Sequence, residues 1–131
     1  MEGIGDTIRV SLTDNPIEEV IAAKNILLAC GKPINSIDFI SCPTCGRCMV
    51  DMVPLANQIY QKLRVINCNL KVAVMGCPVN GPGEAKDADI GIAFGLNKAI
   101  LFKHGEIVDT LTMDNIVDNF VEMVKEVAKC Y

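Results

Sequence analysis

The stretch Phe39–Cys48, FISCPTCGRC, decides how the rest of the chain is read. The stretch from Ile37 to Ile40 predicts a strand that runs directly into Cys42, and Cys45 follows at Cys-x2-Cys spacing. Further on, Lys71 to Met75 predicts a second strand, which delivers Cys77. Both cysteine loops therefore leave the C-terminal ends of strands.

Between them, Met49, Met52, Val53, Ala56, Ile59, Tyr60 and Leu63 recur at helical spacing, and Pro54 sets the first turn of that helix near Asp51 or kinks it. Downstream, IGIAFG and KAILFKHGEIVDTLT read as three strands, the last two joined by a hairpin at His104-Gly105, which suggests an antiparallel patch. A C-terminal helix begins near Asp114 and turns Val117, Phe120, Val121, Val124 and Ala128 inward. Upstream, the alternation in TIRVSL predicts a strand over Thr7 to Leu12. A helix follows from Pro16 to Cys30, with Asp14 or Asn15 as cap, Glu18 and Glu19 facing the positive end of the dipole, and Gly31 as the stop. The fold class is α/β (α+β), a small sheet flanked by helices.

With 131 residues, half of them hydrophobic, the chain is about one domain long and builds a core without disulfides. Three of the seven cysteines cluster at CPTCGRC, and the opening MEGIGDTIRV holds no apolar signal core, so a reducing cytoplasm is the expected setting. Apolar runs such as VIAAKNILLAC are broken by Lys or Asn and fall short of the roughly 20 residues that cross a bilayer. The net charge of −4 argues against a nucleic-acid surface, and the lack of Trp against base stacking. The apolar residues of the first helix, Ile17, Val20, Ile21, Ile26 and Leu27, lead us to expect self-association.

A close pair of thiolates with a third on another loop suits an iron-sulfur cluster, because the pair grips neighbouring irons while the distant thiolate closes the cage. Pro43 stiffens the loop, and Gly46 allows a tight turn. Two rivals remain at this level. Structural zinc usually wants a second Cys-x2-Cys or Cys/His pair, which Cys77 lacks. A redox dithiol explains Cys42 and Cys45 but not Cys77. The fourth ligand is also open. Cys48 completes the Cys-x2-Cys-x2-Cys run of bacterial ferredoxins, with Cys77-Pro78 as their Cys-Pro ending. Alternatively, the turns Asn80-Gly81 and Pro82-Gly83 return Glu84 toward the metal.

The segments GIGDTIRVSLT, FISCPTCGR and KVAVMGCPVNGPGEAKDADIGIA together resemble the 4-hydroxy-3-methylbut-2-enyl diphosphate synthases of the methylerythritol phosphate pathway of isoprenoid biosynthesis. The resemblance runs through LFKHGEIV and the final helix, but covers only the C-terminal part of such an enzyme. It implies that residues 1–30 are the last βα unit of a TIM-type barrel. Residues 31–131 would be a [4Fe-4S] domain similar to that of sulfite and nitrite reductases. It implies Cys42, Cys45, Cys77 and Glu84 as cluster ligands, Arg9 and Ser11 as contacts to the substrate's diphosphate, and Asn80 close to cluster and substrate. The implied activity is reductive opening of 2-C-methyl-D-erythritol 2,4-cyclodiphosphate, with ferredoxin or flavodoxin as electron donor. A carboxylate ligand leaves one iron more readily open than a thiolate would. Without most of the barrel, the chain is expected to be inactive alone and to need a barrel in cis or in trans.

The remaining chemistry-bearing residues read as ordinary. His104 is a turn residue, and Cys48 is expected to pack as a small apolar side chain. Cys30, Cys68 and Cys130 are free thiols, and Lys86, Asp87 and Asp89 form a solvated loop. Arg47 either donates to cluster or phosphate or forms a surface ion pair.

Overall fold

The computed structural model describes residues 5–32, 34–79 and 81–129; of Glu84 it describes the backbone alone. Helix α1, Pro16–Ala29, begins where the Asn15 side chain accepts a hydrogen bond from the Ile17 N–H at 3.0 Å, with Pro16 in the first turn, and it ends before Gly31 at φ 68°. Then come β1 (Asp38–Ser41), α2 (Met52–Leu63), β2 (Lys71–Met75), the short α3 (Gly81–Glu84), β3 (Ile90–Phe94), β4 (Lys98–Lys103), β5 (Glu106–Thr112) and α4 (Ile116–Ala128). Among the described residues no helix is long and apolar enough to cross a membrane.

The five strands form one sheet in the order β1-β2-β3-β4-β5, so the class is a mixed α/β arrangement. β1, β2 and β3 run parallel, and β3, β4 and β5 form the expected antiparallel meander. The β4–β5 turn places His104 at φ 48° and Gly105 at φ 81°, the left-handed pair that a two-residue hairpin needs. In register, Ser41 pairs with Val74 and Met75 with Ala93. The chain thus leaves all three parallel strands at one end of the sheet.

Strand alternation sends alternate residues to opposite faces. Val72, Val74, Ile90, Ile92 and Phe94 meet Ile59 and Leu63 of α2 and Phe120, Val121 and Val124 of α4 in the main core. On the other face Ala73, Met75 and Ala93 join Ala85, Ala88 and Phe102 in a thinner layer. That layer is thin because backbone lies directly on it: a Cβ on Gly91 would enter the Phe102 ring, and one on Gly81 would press on Ala93.

Two boundaries differ from the sequence reading. The final helix starts at Ile116, because Asn115 adopts φ 51°, a left-handed geometry outside the helix. Thr7–Leu12 is not a strand: the segment has no ladder among the described residues, and Ile8 and Leu12 are exposed. An alternating pattern specifies a strand only where a neighbour supplies the hydrogen bonds. Helix α1 is likewise loosely seated, burying none of its residues. Polar links hold it: Arg64 to Glu18 in a two-pronged pair at 2.7 and 3.1 Å, Lys24 to Asn67 at 3.1 Å, and Asn25 to Tyr60 at 3.4 Å. Beneath it lie hollows of about 360 and 520 Å³ against β1 and α2.

Candidate metal centre

Cys42 follows β1 immediately, and its N–H donates to the Val74 carbonyl at 3.3 Å, extending the β1–β2 ladder by one step. The Gly76 N–H then donates to Cys42 Sγ at 3.1 Å. A tight turn brings the Cys48 N–H to the Cys45 carbonyl at 3.0 Å, and the Met49 N–H returns to the Gly76 carbonyl at 3.1 Å. The loop of residues 42–49 is therefore stitched at both ends to the residues that lead into Cys77.

The result is one cavity of about 110 Å³ lined by Cys42, Cys45, Cys48 and Cys77, with Arg47 and Met75 beside them. Cys77 is buried at 4% exposure, Cys42 is half-buried, and Cys45 faces solvent. Gly76 sits between two of the thiols, and any Cβ there would collide with Cys48 Sγ and lie 3.5 Å from Cys42 Sγ. Glycine is the residue that lets both sulfurs approach the same point. The sequence reading missed this role, although the glycine between strand and cysteine in VMGCP signalled it.

The thiol of Cys45 is held below the ordinary cysteine range, chiefly by the backbone N–H of Arg47. Desolvation is the next largest influence and opposes it, while the Arg47 guanidinium and the Cys48 N–H add smaller lowering contributions. A thiolate, not a thiol, is what binds metal, so this environment favours the ligating form. Arg47 lies at the cavity and takes part in none of the ion pairs formed among the described residues.

Cys48 is half-buried and packs against the α2–α4 side of the sheet, its thiol donating to the Val50 carbonyl at 3.4 Å, whereas Cys42 packs on the opposite face. Cys30 and Cys68 are free thiols away from the cavity; burial, with Asp89 nearby, pushes the Cys68 thiol up. Asp89 departs from the solvated-loop reading: it is half-buried and accepts from the Lys71 N–H at 2.7 Å, fixing the start of β2. Lys86 and Asp87 are exposed as expected. Among the described residues no three His, Cys, Asp or Glu side chains converge on one ion.

Two of the expected substrate contacts are not drawn into this site. Arg9 and Ser11 are exposed on the unpaired segment before α1, which is tied down by the Leu12 N–H donating to Glu19 Oε1 at 3.0 Å, and neither lines the cavity. Asn80 lies outside the described residues, as do Cys130 and the side chain of Glu84. The backbone of Glu84 closes α3, where the Ala85 N–H donates to the Gly81 carbonyl at 3.1 Å.

Residues 38–126, from β1 into the last turn of α4, match the family model described as GcpE protein C-terminal domain. Across its whole length the chain is similar to proteins named 4-hydroxy-3-methylbut-2-en-1-yl diphosphate synthase (flavodoxin). That of Ruminiclostridium cellulolyticum is 52% identical over 98% of this chain and 35% of its own length. That of Clostridium acetobutylicum is 51% identical over 96% and 35%. That of Caldicellulosiruptor saccharolyticus is 49% identical over 100% and 37%. The chain thus spans little more than a third of the relatives it matches, and that third contains both cysteine loops and the whole sheet that positions them. A sheet, a cysteine cavity and a family match that coincide over the same residues make one assignment: the chain belongs to the GcpE C-terminal domain family.

Proposed function

We propose that this chain is the cluster-bearing part of a 4-hydroxy-3-methylbut-2-enyl diphosphate synthase. The observation that carries the reading is the convergence of Cys42, Cys45 and Cys77, from the ends of two neighbouring parallel strands, on one cavity. In this reading they are three ligands of a [4Fe-4S] cluster, and Glu84 is the fourth. The donor set favours a multi-iron group over zinc. Structural zinc usually takes a second Cys-x2-Cys or Cys/His pair, and Cys77 stands without one, whereas a cluster is gripped by a close pair of thiolates and a distant third.

Bound there, the cluster supplies one-electron reduction to the opening of 2-C-methyl-D-erythritol 2,4-cyclodiphosphate. The chain's own residues set the conditions for it. Gly76 keeps the cavity clear, its N–H holds the Cys42 sulfur, and Arg47 favours the Cys45 thiolate. Residues 1–30 are read as the last βα unit of a barrel and 31–131 as the cluster domain. The loose seat of α1 supports that division, because its exposed Ile17 and Val20 suit a neighbour beyond this sheet. Arg9 and Ser11 then bind the substrate's diphosphate, and Asn80 adjoins cluster and substrate, only once a barrel in cis or trans completes the site. Flavodoxin, named for the relatives, or ferredoxin supplies the electrons.

Anaerobic loading with iron and sulfide tests the reading: about four irons per chain are expected. Turnover is expected only after the missing barrel is added. A folded chain that binds zinc stoichiometrically and takes up no iron sinks it. A second reading, an electron carrier with an all-cysteine cluster, is favoured by the presence of Cys48 in the same cavity. Cys48→Ser and Glu84→Ala separate the two, since loss of the cluster in the Cys48 variant alone supports the carrier.

A further inference from the structure

Beside the cysteine cavity lies a second hollow, of about 500 Å³, whose walls include Met49, Pro78, Leu96 and Lys98. It is continuous in sequence and in hydrogen bonding with the first. Met49 follows Cys48 and donates to the Gly76 carbonyl, and Pro78 follows Cys77. Pro78 also packs on the β3–β4 turn, its Cγ 3.5 Å from where a Cβ on Gly95 would stand. Around this hollow the chain exposes Leu96 at 74% and, next to Pro78, Val79 at 73%, with Met49 also exposed. Apolar side chains so exposed, gathered at the mouth of a redox site, mark a contact surface and not a core.

The charges narrow the partner. Among the described residues lining the cavity and the hollow, the charged side chains are Arg47 and Lys98, both cations, in a chain whose net charge is −4. An apolar centre with a cationic rim fits an acidic partner that presents an apolar redox edge, and the dimethylbenzene edge of a flavin is one. Resting on the cluster reading above, we infer that the Met49–Pro78–Val79–Leu96 collar is the docking surface for an acidic, flavin-carrying electron donor. Docked there, an anionic flavin hydroquinone becomes the neutral semiquinone as one electron passes to the iron-sulfur group. No bond forms or breaks in this chain, and no proton need cross. Electron transfer falls steeply with distance, so a surface adjoining the thiols is where such a partner must sit. A small, short-lived interface suffices, since redox encounters bury less than about 1,200 Å² in all.

The test is titration of the full-length chain, iron-loaded and unloaded, with a purified oxidised flavodoxin, read by calorimetry at low and high salt. Leu96→Asp and Val79→Asp are expected to weaken binding about tenfold or more, with iron content and thermal unfolding unchanged. Val65→Asp, at a similarly exposed residue just after α2, is expected to bind within about twofold of the parent. Lys98→Glu is expected to weaken binding and flatten its salt dependence. Absence of binding, collar variants that bind like the parent, or an equal loss from Val65→Asp would each overturn the proposal. So would a dimer of this chain that Leu96→Asp dissolves, since the collar would then serve a second copy. Binding is read without iron, so a chain that takes up no iron yet loses flavodoxin on Leu96→Asp sinks the cluster reading and keeps the surface.

Discussion

The N–H of Gly76 donates to the sulfur of Cys42 at 3.1 Å, so the residue that ends one strand's run holds the thiol delivered by its neighbour. The same glycine gives Cys48 its place, because a side chain there would occupy the position of the Cys48 sulfur. Gly76→Ala is therefore expected to leave the sheet folded while displacing the Cys48 thiol from its present place at the cavity and cutting anaerobic iron uptake. Gly76→Ala combined with Cys48→Ala is expected to recover it. Iron and sulfide counts on the two proteins decide the matter; equal, parent-like uptake in the single variant removes Gly76 from the site.

Cys45 and Cys68 are expected to part company in their pH response. The lowered Cys45 thiol retains thiolate as pH falls beneath the ordinary cysteine range, whereas the raised Cys68 thiol does not. Alkylation of the iron-free chain across a pH series, quantified peptide by peptide, should show Cys45 reacting at lower pH. Because the backbone N–H of residue 47 is the leading cause, Arg47→Ala should move the Cys45 profile upward only in part.

Gly91 lies under the ring of Phe102, and a methyl group at that position has no room. Gly91→Ala is expected to destabilise the chain by about 1–3 kcal/mol, the usual result of overfilling a packed core. Urea unfolding with an unchanged slope would show it. Combining it with Phe102→Leu should recover part of the loss, which identifies the ring as the obstacle.

Helix α1 depends on the two-pronged Arg64–Glu18 pair more than on burial. Arg64→Ala is expected to cost little overall stability, as partly exposed ion pairs do. The loss should stay local: faster amide exchange over residues 16–29, with the β2 and β3 amides unchanged. Uniform acceleration over the sheet would show that α1 is an integral part of the core.

How legible the structure was in the sequence depended on whether a residue's partner was local. The caps and turn residues of α1 and of the His104-Gly105 hairpin act within a few residues, and both elements stand where the pattern put them. Lys71–Met75 was clear because the continuous apolar run Val72–Met75 needs no knowledge of its neighbours. Thr7–Leu12 carried a comparable pattern, but a ladder is a relation between strands and none forms among the described residues. The loop cysteines were readable from their spacing. The part played by Gly76 was not, because it consists of empty space shared by two sulfurs that reach it from opposite faces of the sheet.

The separation of Cys42 from the Gly76–Cys77 step by 34 residues has a kinetic consequence. The β3–β5 meander joins close neighbours in sequence and is free to form early, whereas the thiol cavity waits for α2 to cross over and lay β2 beside β1. Non-local pairings of this kind come late, after the entropy of closing the loop has been overcome. A nascent chain therefore offers scattered thiols and no pocket, so any inorganic cargo has to arrive at a finished scaffold. A group bound in that cavity would then stabilise the finished crossover by mass action, favouring the state in which β2 lies beside β1.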